Sequence, residues 1–155
     1  MTNKQISGTV ARTAARLGRQ VDAALASVEL SSAQYRMLFQ LADGAEASTM
    51  LARKLEVSAP SVTAVVDGLV NRGLIVRSHS ELDRRRVSLE LTDEGRAVLI
   101  AADESVTERL MHVAGFVDEE QARKLIDDLS FWATALDTRR AARLVQRARK
   151  EAQGL

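Results

Sequence analysis

Residues 58–91 limit the possible folds of this chain more than any other stretch, because a helical period, a glycine stop and a charged turn between two alternating runs follow one another directly. Val62, Val65, Val66, Leu69 and Val70 fall at i, i+3, i+4, i+7 and i+8, the period of a helix with one face inward. Ser58 precedes them as an N-cap. Pro60 is tolerated in the first turn, where its missing N–H costs nothing, and Gly73 stands where a left-handed terminator is wanted. Leu74–Ser78 and Val87–Leu91 are strand candidates. In the second, Val87, Leu89 and Leu91 alternate with Ser88 and Glu90, the patterning of a half-buried strand. The turn between them carries Asp83, Arg84, Arg85 and Arg86. Just upstream, Ser48 is expected to cap a short helix with Leu51 and Leu55 inward, ending near Glu56-Val57. Two short helices joined by a tight turn at Glu56–Ser58 form a helix-turn-helix candidate, and the basic hairpin behind them makes it a winged one.

The flanks read as helices. Ile6, Val10, Ala14, Leu17, Val21, Ala24 and Leu25 recur at three- and four-residue steps over 4–26, with a break at Ser27–Leu30. Ser31 and Gln34 form a capping box opening a helix with Tyr35, Leu38, Phe39 and Ala42 on one face, stopped at Asp43-Gly44. Thr92 starts another helix, with Asp93 and Glu94 against its positive end and Leu99, Ala102, Val106, Leu110 and Val113 as its stripe. Asp118-Glu119-Glu120-Gln121 opens the last, which carries Leu125, Leu129, Trp132, Leu136, Leu144 and Val145. The expected fold is mainly α with a small β-hairpin wing, a single domain over 1–155. Within it, 30–91 would be a winged helix-turn-helix DNA-binding lobe, and 1–28 and 92–155 its helical flanks.

Composition narrows the chemistry. The 155 residues include no Cys, which excludes disulfides, thiolate catalysis and Cys-based zinc sites. The two His, His79 and His112, lie far apart and lack a second-ligand spacing, so no metal and no cofactor is expected. A phosphate-binding Gly loop is also missing, and no enzyme is expected. No apolar run approaches the roughly 18 residues of a transmembrane helix, and residues 1–30 have no signal-peptide core, so a soluble, cytoplasmic protein is expected. Net charge is +1, but its distribution is uneven. Residues 92–137 hold four basic and eleven acidic groups, whereas 138–150 hold six basic and none acidic. Nucleic-acid contact should avoid the acidic region. The basic run Arg139–Lys150 can be read as a second DNA site or as a solvated or interface helix face, and the second reading is preferred.

The DNA chemistry falls to two places. A helix lies in the major groove with its N-terminal side chains at base edges. Here those are Ser58, Ala59, Ser61, Val62 and Thr63, small residues with few bidentate contacts to offer. The wing compensates, because a narrow minor groove concentrates negative potential and favours inserted arginine. Arg84 and Arg85 are the leading contacts, Arg86 a third candidate, and Asp83 an orienting partner. Tyr35, Phe39, Phe131 and Trp132 are candidates for lining a small-molecule effector pocket.

The series Leu55-Glu-Val-Ser58, Pro60-Ser-Val-Thr63, Val66-Asp67, Leu69, Arg72-Gly-Leu74, Asp83-Arg84-Arg85 and Leu91-Thr-Asp-Glu-Gly95 resembles the MarR (multiple antibiotic resistance regulator) family of bacterial repressors. The resemblance covers roughly residues 30–100 by motif. It implies a homodimer in which the first and last two helices interlock, a recognition helix at 58–72 and a wing at 77–87. It further implies release from DNA by a small aromatic or phenolic ligand, as in many members. Two departures stand out. Positions 59 and 64, where a basic residue is common, are both alanine, and the frequent Asp-Pro before the wing tip is replaced by Ser80-Glu81-Leu82.

The expected function is therefore a dimeric, sequence-specific DNA-binding transcriptional regulator, a repressor released by an effector. Its partner would be double-stranded DNA, a pseudo-palindromic operator with half-sites about 10 bp apart. The alternative from a different class is a winged-helix protein-interaction module without an operator.

Overall fold

A computed structural model describes residues 3–42, 44, 46–47, 50–51, 58–79 and 87–152. Its elements are α1 (Asn3–Ala26), α2 (Ser32–Ala42), β1 (Glu46–Ala47), α3 (Ala59–Asn71), β2 (Ile75–His79), β3 (Val87–Leu91), α4 (Asp93–Ala114) and α5 (Glu119–Ala152). Met50 and Leu51 are also helical, and Leu51 is buried. Ser48, Leu55 and the expected turn at Glu56-Val57 lie outside the described residues, as does Asp43.

The chain divides into two compact units, Met1–Leu110 and Met111–Leu155. The first holds a core of Leu25, Leu30, Met37, Leu38, Leu41, Leu51, Val62, Val66, Leu69, Leu74, Ile75, Leu89, Leu91, Leu99 and Ala102. Burying such side chains is worth about 1.5–3 kcal/mol each. Three of the five valines and leucines read as the inward face of α3 are fully buried (Val62, Val66 and Leu69), and Val65 and Val70 pack against them.

The helix ends follow their sequence signals. Ser31 and Gln34 make the reciprocal capping box: the Gln34 N–H donates to Ser31 Oγ (3.2 Å) and the Ser31 N–H to Gln34 Oε1 (2.9 Å). The α1 and α3 termini share one geometry. Leu30 N–H donates to the Leu25 carbonyl (3.0 Å) and Glu29 N–H to that of Ala26 (3.2 Å), while Leu74 N–H donates to Leu69 (3.0 Å) and Gly73 N–H to Val70 (2.9 Å). Both are Schellman motifs, with Glu29 (φ 55) and Gly73 (φ 70) in left-handed backbone. Each pairs a buried leucine before the turn with a buried leucine after it.

The sheet has three strands in the order β1-β3-β2, all antiparallel. The hairpin register pairs Ile75 with Leu91 and His79 with Val87. The edge strand β1 pairs Glu46 with Leu89 and Ala47 with Ser88, and sequence reasoning did not anticipate it. Two residues are too few to show an alternation, and neither Glu nor Ala favours strands.

Two expectations need correction. The α2 face toward the core is Met37, Leu38 and Leu41, with half-buried Tyr35 packed against it, whereas Phe39 and Ala42, expected on the same face, are exposed. Both stripes contain Leu38, and a rotation of about 100° per residue separates the rest. The stripe of α4 is buried at Leu99 and Ala102 and half-buried at Val106 and Leu110, but Val113 is exposed.

Candidate nucleic-acid interface

Ser58 has extended backbone and caps α3, its Oγ accepting the Ser61 N–H (3.3 Å). The Ser58 and Ser61 hydroxyls are also 2.8 Å apart, so the first turn presents a bonded hydroxyl pair rather than two free ones. Ser58, Ser61 and Thr63 are exposed on α3, as is Ala64. Val62 leaves the candidate set. It is 2% exposed, packed in the core, and a side chain facing inward has no path to a base edge. The Ala59 side chain lies outside the described residues.

The helix is tied to the hairpin by a contact that sequence reasoning missed. Arg77 Nη2 of β2 donates to Asp67 Oδ1 of α3, an ion pair whose side chains are 46% and 52% exposed. At that exposure its contribution to stability is small, about 0.2–1 kcal/mol, but a guanidinium bonded to a carboxylate sets direction. The ten-residue separation spans a helix end and a turn, and no local spacing rule signals it. Ser78 Oγ donates to Glu90 Oε1 (2.6 Å) and lies 2.7 Å from Ser88 Oγ, joining the two strands through polar side chains. Asp83, Arg84, Arg85 and Arg86 connect β2 to β3 in the chain and lie outside the described residues, as do Ser80-Glu81-Leu82.

Behind the hairpin, Thr92 caps α4: its Oγ1 accepts the Gly95 N–H (2.9 Å) and donates to the Gly73 carbonyl (2.7 Å). Thr92 N–H donates to the Leu74 carbonyl (3.2 Å). One threonine thus joins the start of α4 to the end of α3.

The four aromatics proposed as a pocket fall into two pairs. In the first unit the Tyr35 and Phe39 rings are tilted, 5.9 Å apart. The Tyr35 hydroxyl donates to Asp103 Oδ1 (2.5 Å), and burial, then that carboxylate, raise its pKa well above the ordinary tyrosine value, so it stays protonated at neutral pH. In the second unit Phe131 and Trp132 are 73% and 62% exposed and line an open groove of about 400 Å³ with Asp128 and Ala135. His112 packs edge-on against Phe116 (5.5 Å). The His79 side chain lies outside the described residues. Among the described residues no cluster of three His, Cys, Asp or Glu is arranged for a metal, and no helix is long and apolar enough to cross a membrane.

A core-packed helix tied to an antiparallel hairpin, with a helix on either side, defines a winged helix-turn-helix protein. The solved structure of the transcriptional repressor CouR bound to a 23-mer DNA duplex superposes with a TM-score of 0.68 at 29% identity, covering 86% of this chain and 98% of that one. A model of the MarR family matches residues 29–86. The HTH-type transcriptional repressor YetL of Bacillus subtilis is 36% identical over 73 residues, 45% of this chain and 44% of YetL. The HTH-type transcriptional regulator FarR of Neisseria gonorrhoeae is 30% identical over 107 residues, 68% of this chain and 73% of FarR. The chain belongs to the MarR family. It spans about half the length of YetL and of two further Bacillus subtilis relatives, 44%, 57% and 48%.

Proposed function

We propose that this protein is a cytoplasmic, homodimeric DNA-binding transcriptional regulator, acting as a repressor that a small aromatic or phenolic effector releases. The observation that carries the reading is the Asp67–Arg77 ion pair, which joins α3 to the first strand of the hairpin and so supports a joint use of the two on DNA. The repressor name of YetL and the DNA-bound structure of CouR support it.

In this reading α3 enters the major groove. Ser58, Ser61 and Thr63 meet phosphate or base edges, and Ala59 and Ala64 allow close approach. Arg84 and Arg85, with Arg86 beside them and Asp83 orienting, enter the flanking minor groove. The helix has few strong base readers, so much of the selectivity comes from DNA shape. The second copy covers the apolar residues that one chain leaves exposed on α1 and α5, Val10, Leu125, Leu129, Trp132 and Leu136 among them. Two α3 helices then face successive major grooves, about 10 bp apart. Tyr35 and Phe39, and Phe131 and Trp132, are the aromatic pairs offered to an effector. Release follows if the effector favours a helix separation that does not fit the operator.

The test is equilibrium binding to duplexes from the region upstream of the protein's own gene. Selective binding over a scrambled duplex supports the regulator, and equal affinity for both contradicts it.

A further inference from the structure

The C-terminal end of α3 is held by more than its core face. Gly73 and Leu74 accept the hydroxyl and the N–H of Thr92, as described above. The residue before them, Arg72, reaches the other way. Its backbone N–H closes α3 on the carbonyls of Gly68 and Val70, and its guanidinium Nη1 donates to the Glu29 carbonyl at 2.6 Å, across 43 residues of sequence. Glu29 stands beyond the last turn of α1 in left-handed backbone, so its carbonyl has no donor from within that helix. Arg72 supplies one. The two matching helix ends, Leu25–Leu30 and Leu69–Leu74, are thereby joined by a charge-assisted bond.

The core contacts of Val62, Val66 and Leu69, with Val65 and Val70 packed against them, are apolar and non-directional. The Asp67–Arg77 tie joins α3 to the hairpin, which would move with it. The Arg72 bond instead reaches the corner between α1 and α2, and a planar guanidinium fixes direction in a way an ammonium does not.

We propose that Arg72 is a positioning residue: its bond to the Glu29 carbonyl sets the angle between α3 and α1, and through it the separation of the two α3 helices presented to DNA. The second half of this statement rests on the regulator reading. Arg72 is exposed, so its removal opens no core cavity.

The absence of cysteine allows two nitroxide labels to be placed at will. Ala15→Cys in α1 and Ala64→Cys in α3 are both exposed positions, and dilution into excess unlabelled protein isolates the distance within one chain. We expect a narrow distance distribution in the otherwise native chain, and a broadened or shifted one with Arg72→Ala and with Arg72→Lys, at unchanged helical content. Unlabelled protein is then titrated with operator duplexes whose half-sites are moved apart by one or two base pairs. The native chain should discriminate between spacings about tenfold or more, and both variants by less than about threefold. Suppose instead that the distances and spacing preference are unchanged, the Ala variant shows a shallower salt dependence and Lys restores it. Arg72 is then a phosphate contact, and the proposal is overturned. A native chain that binds no duplex overturns the regulator reading, and the distance distributions still decide whether Arg72 holds α3 to α1.

Discussion

Gly95 has no room for a side chain, since a Cβ there would stand 1.9 Å from the Leu74 carbonyl oxygen and 2.9 Å from its carbon. Both are backbone atoms held by the Thr92 bonds, so neither yields as a side chain would. Gly95→Ala is expected to lower stability by about 3 kcal/mol, the upper range for overpacking, read as a lower urea midpoint with unchanged slope. The motif Leu91-Thr-Asp-Glu-Gly95 was visible in the sequence as a helix start. The reason for its glycine was not, because the obstructing carbonyl lies 21 residues away. The same limit applies to Val62, whose helical phase marks it as core while its place in the first turns marks it as a base reader; only the packing decides. For the wing arginines the expectation is the reverse of Gly95. If they contact DNA as proposed, Arg84→Ala/Arg85→Ala should keep the thermal midpoint of the native protein and lose operator affinity, because surface substitutions usually change stability little.

Where helices end, the sequence speaks with unequal clarity. Gly73 announces its left-handed turn, and the structure has it at φ 70. Glu29 makes the same turn at φ 55 with a side chain that disfavours it, and only the break at Ser27–Leu30 hinted at it. Glu29→Gly should therefore stabilise the protein by about 0.5–1 kcal/mol, less than the full relief because glycine also frees the unfolded chain. Thermal unfolding at constant protein concentration checks this; a lower midpoint would mean that the Glu29 side chain makes a contact worth more than the strain. Capping signals were the most legible feature. Ser31, Ser58, Thr92 and Asp118 each accept an N–H in the first turn of the helix they open. The phase of α2 and the two-residue β1 were not legible. The first depended on choosing between two overlapping stripes, and the second on a partner strand whose paired residues, Leu89 and Ser88, lie far along the chain.

Across the protein, the pattern of exposure argues for a second copy. Val10 on α1 and Leu125, Leu129, Trp132 and Leu136 on α5 are apolar and exposed, although their spacing is that of buried helix faces. Sequence periodicity can tell that a face is apolar, but not whether its own chain or another covers it. If the native protein sediments as the proposed dimer, Trp132→Glu is expected to shift it to monomer; a variant that sediments like the native protein would move the proposed interface elsewhere. The charge is uneven as well, with 92–137 acidic and 138–150 basic, and the acidic stretch is the part least suited to DNA contact. The measurement that decides most is fluorescence anisotropy on the duplex upstream of the protein's own gene, beside a scrambled duplex, over a series of salt concentrations. The account predicts selective binding, with log K falling linearly with log salt at a slope near −0.9 per phosphate neutralised and a shallower slope in Arg84→Ala/Arg85→Ala. Equal affinity for both duplexes, or a slope that the double variant leaves unchanged, would contradict it.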